Sequence, residues 1–436
     1  MKDVMKGRDI IALGFMTLSL FVGAGNIIYP PIVGLQAGAN VWITAFGFLI
    51  TAVGLPILTV IALAKVGGEM TALSAPIGKV ASTVLAVVCY LSVGPLFAVP
   101  RTATVSYEIG VLPFMGEGSG GHSLIIYSTC YFLFTILISL YPTKLLDVLG
   151  NLLSPLKILA LALLGVAAFL YPAGPVGDIA ASYSSMPMAK GFSDGYLTMD
   201  TLGALVFGIV IVNAIRSRDI TDTRQIIRYA SIAGMMAFVG FVLIYISLFK
   251  LGNNSYSLAP NAENGAVILH MYVRHTFGVY GDMFLAGLIT LACVVTAIGL
   301  TTACATYFSQ LCHIPYKLMV VILAVCGFMV SNLGLTKIIE LSVFALTAIY
   351  PPCIALVVLS FILRFFRNAS LVFSSVMLTA LVFGIFDALK PLKLTGLFWY
   401  DTLPLAASGL AWLLPTLLVF VCAVVFDRLV LKPRMI

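Results

Sequence analysis

Charged residues are scarce in this sequence, and their scarcity excludes most soluble functions. Only 9% of the 436 residues are Asp, Glu, Lys or Arg, whereas 61% are hydrophobic. Soluble globular domains carry about 25% charged residues. The apolar runs are continuous and lack the alternation of every second residue that is typical of membrane β-barrel strands. The chain is therefore predicted to be an all-α polytopic membrane protein.

Patterns of catalytic and metal-binding residues are also missing. None of the eight cysteines forms a Cys-x-x-Cys pair, and the four histidines show no ligand spacing. The ionisable residues of the apolar runs are predicted to lie at helix ends or in loops, with Asp200 near the outer face and Lys157 near the inner face. An enzyme needs a cluster of acids, bases or metal ligands, and a proton-driven carrier usually needs a titratable group within the membrane. We therefore expect no enzyme, and a bound cation would be held by neutral oxygens, which suits sodium.

Apolar segments long enough to cross a bilayer predict twelve spans with no cleavable leader. With the N-terminus inside, 17 of the 24 Lys and Arg residues fall on the inner side. This bias predicts cytoplasmic termini, and it explains the net charge of +7 without a nucleic-acid partner. The lipid bilayer is the expected surrounding, and no protein partner is evident. The predicted spans are 9–34, 41–65, 78–108, 123–141, 148–171, 199–215, 228–250, 283–308, 314–333, 338–363, 370–390 and 405–427.

The first span contains a segment, residues 17–31, that is unsuited to a continuous helix. Gly23 and Gly25 are poor helix formers, the Asn26 side chain competes for backbone groups, and two prolines follow. Peptide groups freed at membrane depth need partners from protein, water or a ligand, because lipid offers none. The segment is therefore predicted to be a break in the helix that forms a binding site.

Such a break offers one site for an anion and another for a cation. The helix that begins near Gly25 points partial positive charge at an anion, and the carbonyls near Ser19 and Val22 face a cation. Adjacent Thr301 and Thr302 in the eighth span could complete the cation shell. Alternatively, these threonines bond to their own backbone, as is common in membrane helices.

A second interruption is predicted in the sixth span, which carries Gly203, Gly208 and Asn213. Five spans separate equivalent positions, and an odd number of crossings reverses direction, which indicates an inverted repeat. We predict one transmembrane domain, 1–436, with a first five-helix repeat at 9–171. An inverted five-helix repeat at 199–363 and two additional helices at 370–427 complete it.

Two features of the outer side suggest a gate. Arg101 follows Lys79 by a helix length of about 33 Å, which predicts a position at the outer boundary. There it would snorkel, pair with Glu108 two turns later, or form part of an outer gate. The apolar patch at 266–272 is predicted to be either a short helix over the extracellular mouth or a surface loop.

A neutral amino acid fits these sites. The positive half-helix end binds a carboxylate, unwound carbonyls of the sixth span could take an ammonium, and the remaining surroundings are apolar. A channel would need a continuous polar lining, which the sequence lacks.

Several motifs resemble the bacterial branched-chain amino acid carriers of the BrnQ type, also called LIV cation symporters. They are RDIIALGFMT at 8–17, FVGAGNIIYPP at 21–31, GPLFAVPRTAT at 94–104, DTLGALVFGIVIVN at 200–213 and AIYPP at 348–352. The resemblance implies sodium-coupled uptake of leucine, isoleucine and valine across the bacterial inner membrane. Proton-coupled transport of a neutral amino acid is the alternative.

The GAGN run also resembles the break in the first helix of LeuT-like transporters, which implies a five-plus-five inverted repeat with helices 1 and 6 discontinuous. The seventh span has no Asn at 231–250, so the resemblance does not extend to a second sodium site. The implied substrate site comprises Gly23, Ala24, Gly25, Asn26, Phe207 and Gly208. The implied sodium site comprises Ser19, Val22, Ile298, Thr301 and Thr302.

Overall fold

A computed structural model describes residues 5–115, 122–141, 154–392 and 400–429, which form helices and no strand. Parts of the predicted connections after the third, fourth and eleventh spans, and residues 148–153 of the predicted fifth span, lie outside these ranges. The helices are α1 Gly7–Phe21, α2 Ala24–Ala37, α3 Val41–Leu49, α4 Leu55–Lys65, α5 Met70–Leu73, α6 Lys79–Leu91, α7 Ala98–Gly110, α8 His122–Ser139, α9 Ser154–Leu170, α10 Pro187–Asp194, α11 Asp200–Arg216, α12 Thr223–Asn253, α13 Gly265–Cys312, α14 Tyr316–Ser331, α15 Leu335–Ile362, α16 Ala369–Leu389 and α17 Leu413–Leu429.

The number of membrane crossings is only partly defined by helix length. Each predicted span overlaps at least one helix. Within the described ranges, seven helical segments are long and apolar enough to cross a membrane, or eight if a bent pair counts as one span. Helices α1 and α11 are shorter because each is one half of a broken span. The all-helical membrane architecture is confirmed, and the total of twelve crossings stays a prediction.

The first span is broken where the sequence predicted. Helix α1 ends at Phe21 and α2 begins at Ala24. Between them, Val22 has φ −65° and ψ 95°, and Gly23 has φ −120° and ψ −165°, so both are extended. The last carbonyls of α1 and the first N–H groups of α2 have no partner within their own helices, so both sets are available at the break.

The sixth span is also broken, but not at the predicted residues. Helix α11 runs without interruption through Gly203 and Gly208. The break lies before it, at Met199, whose φ of 65° is left-handed. The helical segment Pro187–Thr198 meets α11 at 44° and forms the outer half of this span, whereas the predicted boundaries leave it in the connection between the fifth and sixth spans. Gly208 serves close packing instead, because a Cβ there would overlap the Leu63 side chain of α4.

Glycines also let α2 and α12 pack backbone to backbone. A Cβ at Gly252 would overlap the Pro31 carbonyl, and one at Gly34 would overlap the Phe249 carbonyl. Asn253 Nδ2 donates to the Gly34 carbonyl oxygen at 3.2 Å, which fixes this contact. The outer half of the first span is thus fastened to the seventh span.

We expect Gly252→Ala to destabilise the protein, because two backbones would have to move apart and core overpacking costs about 1–3 kcal/mol. Thermal unfolding of the purified protein in detergent should show a midpoint lower by several degrees. Gly287→Ala is the matched control, since a Cβ at Gly287 meets nothing within 4 Å. Equal midpoints for the two variants would contradict this account of the packing.

The patch at 266–272 forms a helix, as one of its two predictions stated. It is the start of α13, which bends at Gly278, where φ is 64°. A Cβ at Gly265 would overlap the Ile28 carbonyl, so this helix packs directly on α2. Ile268, Leu269 and Tyr272 are buried by the contact. The outer half of the first span is therefore covered on this side.

Candidate binding site between the two helix breaks

A small cavity lies between the breaks of the first and sixth spans. Its volume is about 40 Å³, room for a few water molecules but far below the several hundred Å³ of a ligand pocket. The predicted substrate residues Gly23, Ala24, Gly25, Asn26 and Phe207 all line it. Gly208 does not line it. The structure is therefore closed around the site that the sequence predicted.

Asn26 joins the two breaks. Its Oδ1 accepts a hydrogen bond from the Gly23 N–H at 2.8 Å, which satisfies one free donor of the break. Its Nδ2 lies 2.7 Å from Asp200 Oδ2 and 2.6 Å from the Tyr245 hydroxyl. Tyr245 in turn donates to Asp200 Oδ2 at 2.8 Å. Asn26 is 1% exposed, so these bonds have no competition from bulk water.

Asp200 was wrongly predicted to lie near the outer face. Its side chain is buried and lines the cavity, in the first turn of α11. A carboxylate there faces the positive end of the helix dipole, which favours its charge. The prediction that ionisable residues are absent from the interior of the membrane domain is therefore wrong.

Arg101 contradicts that prediction as well. It is 2% exposed, and its Nη1 donates to the Leu197 carbonyl at 2.8 Å and to the Tyr29 hydroxyl at 3.1 Å. The estimate of helix length failed because α6 and α7 are not one straight helix. A wide π turn at Ser92–Leu96, with Gly94 in a non-helical conformation, separates them. Arg101 consequently lies against both breaks rather than at the outer boundary.

Glu108 does not pair with Arg101. Its carboxylate accepts a hydrogen bond from Asn264 Nδ2 at 3.2 Å, at the start of α13. Asn264 also caps that helix by accepting from the N–H groups of Ala266 and Val267. The role of Glu108 in an outer gate stays a prediction.

The Ser19 and Val22 carbonyls hold a lysine in this structure. Lys157 Nζ, from α9, lies 3.0 Å from the Ser19 oxygen and 2.8 Å from the Val22 oxygen. Lys157 is 2% exposed and has no carboxylate within ion-pair distance among the described residues. The Lys157 ammonium thus binds the carbonyls at which the resemblance implied a sodium ion. Lys157 had been wrongly predicted to lie near the inner face.

The predicted sodium ligands Ile298 and Thr301 do not lie on the face of α13 that approaches the break. Thr296 approaches the break, with its Oγ1 3.5 Å from the Val22 oxygen. Because residues of a helix are about 100° apart, Ile298 and Thr301 lie roughly 140–160° around the axis from Thr296. Ile298 packs against Ile138 of α8. The structure therefore does not bring Ile298 and Thr301 to the Ser19 and Val22 carbonyls.

A second, larger cavity adjoins the first. Its volume is about 600 Å³, and Leu20 and Phe207 line both cavities. Its other lining residues include Glu69, Asn213, Arg216, Thr302 and Gln310.

This cavity lies toward the side on which α1 begins. Arg216 is the last residue of α11, and Arg218, just beyond it, pairs with Asp9 in the first turn of α1. Phe207 lies edge-on to Phe21, with ring centroids 6.2 Å apart. Leu20 and Phe207 therefore separate the site from a wide space that leads to this side, which we call the inner cavity.

Comparison with known proteins agrees with these features. The profile of the family described as "Branched-chain amino acid transport protein" matches residues 6–430. The chain is 59% identical to the branched-chain amino acid transport system 3 carrier protein of Pseudomonas aeruginosa, over 100% of this chain and 99% of that protein. It is 57% identical to the branched-chain amino acid permease BrnQ of Escherichia coli K12, over 98% of each. It is 40% identical to the permease BraB of Bacillus subtilis, over 95% and 94%.

Solved structures show the fold. Mhp1, a nucleobase-cation-symport-1 family transporter in a closed conformation with bromovinylhydantoin, superposes with a TM-score of 0.59 at 12% identity, covering 97% of this chain and 94% of that one. MhsT in complex with L-phenylalanine gives 0.56 at 15% identity, covering 94% and 98%. These neighbours are LeuT-fold transporters. The chain therefore has a LeuT-like fold and belongs to the branched-chain amino acid transport protein family, as a carrier and not an enzyme.

Proposed function

We propose that this chain imports leucine, isoleucine and valine across the bacterial inner membrane by cation-coupled symport, with both termini in the cytoplasm. The observation that carries the proposal is the site between two broken helices, where Arg101 and Asp200 line a small cavity and Lys157 binds the carbonyls of the first break. Charged groups at this depth are energetically costly, and where they occur they typically mark the pathway of a substrate or an ion. The aliphatic side chain of the substrate would lie against Phe21, Phe207 and other apolar lining residues.

Alternating access is supported by the unequal surroundings of the site. On one side, the start of α13 packs directly on α2. On the other, Phe207 and Leu20 separate the site from the inner cavity of about 600 Å³. This arrangement corresponds to a carrier closed to the outside, in which movement of a few side chains would release substrate inward.

For the coupled ion we propose a proton, the alternative to the sodium ion that the sequence favoured. Lys157 Nζ already donates to the Ser19 and Val22 carbonyls. A sodium ion bound to the same two oxygens would have to displace it. Loss of a proton from Nζ to water would remove the charge that holds these carbonyls. Proton binding and release at Lys157 would thus alter the break itself.

Sodium is the second candidate. It is supported by the resemblance to LIV cation symporters and by the hydroxyl of Thr296, which lies 3.5 Å from the Val22 oxygen. In that case Lys157 would leave the carbonyls when the ion binds.

Leucine uptake into proteoliposomes separates the two ions. We expect an inward proton gradient in choline buffer to raise leucine uptake at least about tenfold, because protonation of Lys157 would couple proton movement to leucine movement. A sodium gradient at equal pH on both sides should have no such effect. Uptake driven by sodium alone would overturn the proton proposal and favour sodium. Absence of leucine uptake under every gradient would overturn the proposed function as a whole.

A further inference from the structure

Arg101 carries a buried charge that has no direct ion-pair partner among the described residues. The guanidinium is 2% exposed, and no carboxylate lies within 4.0 Å of it in the described part of the chain. Burying an unpaired charge is strongly unfavourable, and arginine stays protonated in proteins. A carboxylate placed against this guanidinium would therefore supply the direct partner that the described residues do not.

One edge of the guanidinium is available for such an anion. Both hydrogen bonds of the Arg101 side chain come from Nη1, to Tyr29 and to the Leu197 carbonyl. Nε is buried and has no hydrogen-bond partner. Nε and Nη2 form the opposite edge of the planar group, which matches the two oxygens of a carboxylate.

Gly25 allows this edge to approach the start of α2. A Cβ at residue 25 would lie 2.6 Å from Arg101 Nη2 and 3.1 Å from the Thr198 carbonyl oxygen. The guanidinium therefore stands directly above the start of α2, where the helix dipole also favours an anion. Arg101 and Gly25 both line the cavity.

Asp200 supplies the opposite charge in the same cavity. The hydrogen bonds from Asn26 and Tyr245 both end on its Oδ2. No ion pair joins Asp200 to Arg101 in the described residues, although both line the cavity. One cationic and one anionic side chain thus face a single small space without a direct ion pair between them in the described residues.

We propose that Arg101 and Asp200 are the residues that bind the charged groups of the substrate. The Nε and Nη2 edge of Arg101 binds the α-carboxylate, and Asp200 binds the α-ammonium. This inference rests on the proposed amino acid transport. It assigns recognition of the charged groups of the substrate to two side chains rather than to peptide dipoles alone. It also explains selectivity, because a ligand that lacks either charge leaves one buried side chain unpaired.

The test compares ligands that each lack one charge. Leucinamide has no carboxylate, and 4-methylpentanoate has no ammonium. Binding of both ligands and of leucine to the purified protein is measured in detergent, so that transport is not required. We expect the wild type to bind leucine about 10- to 100-fold more tightly than either analogue, since hydrogen bonds to charged groups contribute substantially.

Arg101→Gln should weaken leucine binding about 10- to 100-fold while leucinamide binding changes by less than about threefold. The preference for leucine over leucinamide would then be lost. Asp200→Asn should instead remove the preference for leucine over 4-methylpentanoate. Arg101→Lys keeps a charge but not the bidentate edge, and should retain part of the preference. Arg364→Gln is the control, because Arg364 stacks on Phe365 away from this cavity.

The outcomes separate the inference from the function on which it rests. If wild type binds leucine and Arg101→Gln keeps the full preference over leucinamide, Arg101 has a structural role only. An equal loss of affinity for all three ligands in Arg101→Gln would also overturn the assignment. If the wild type binds no branched-chain amino acid, the proposed function fails instead.

Discussion

Lys157→Met is expected to reduce concentrative leucine uptake at least about tenfold while leucine exchange across the membrane continues. The substitution keeps the length of the side chain but removes the ammonium that lies on the Ser19 and Val22 carbonyls. Without that charge, substrate movement is no longer tied to proton movement, whereas the cavity around Asn26 keeps its lining. Uptake under an inward proton gradient and counterflow of labelled leucine in proteoliposomes measure the two activities separately.

Lys157→Gln distinguishes the charge from the hydrogen bond. Glutamine retains N–H donors for buried carbonyls, which otherwise cost about 1–3 kcal/mol each when left unsatisfied. We expect this variant to be more stable than Lys157→Met and equally uncoupled. Lys65→Met is the matched control, since Lys65 lies over the Phe361 ring at 3.9 Å, away from the break. Concentrative uptake that stays at the wild-type level in both Lys157 variants would exclude Lys157 from coupling.

Asn26→Asp is expected to abolish leucine binding. It would replace the amide that donates to Asp200 Oδ2 at 2.7 Å by a second carboxylate. Two negative charges at this distance repel by roughly 6 kcal/mol at an effective dielectric constant of about 20. The repulsion would separate the two breaks and disrupt the cavity between them. Leucine binding to the purified variant, by the same assay as for Arg101, measures the loss.

An exchange of the two residues provides the control. In the double variant Asn26→Asp with Asp200→Asn, one carboxylate and one amide again face each other, so the donor and acceptor match is restored. The carboxylate at position 26 of that variant could still accept from the Gly23 N–H. We expect partial recovery of binding relative to Asn26→Asp alone. A double variant that is no better than the single one would show that the amide-to-carboxylate contact is not what the site requires.

The predictions drawn from local chemistry were the accurate ones. The break near Gly23 follows from consecutive residues that are poor helix formers, and it needs no information about neighbouring helices. The start of α13 is helical, as one interpretation of its apolar patch required. In contrast, Gly208 looked like a helix breaker although it serves packing against Leu63, which lies in a distant part of the chain.

The predictions that depended on depth failed for Arg101, Lys157 and Asp200. Arg101 was placed by counting residues from Lys79, and Lys157 and Asp200 were assigned to the ends of their predicted spans. Both procedures assume straight helices of uniform rise. The π turn at Ser92–Leu96 invalidates that assumption before Arg101, and the outer half at Pro187–Thr198 extends the sixth span beyond Asp200. Pro155, two residues before Lys157, was a signal that this helix begins there, which places Lys157 in the first turn of α9.

The sequence by itself determined the class of molecule, the break in the first span and the membership of the carrier family, because composition and local backbone preference are properties of the chain. Only the tertiary structure decided which charges meet at that break. Lys157 and Ser19 are separated by 138 residues, and Asn26 and Asp200 by 174. Their contacts depend on how helices from both parts of the chain rotate and pack, and helical periodicity alone does not specify that arrangement.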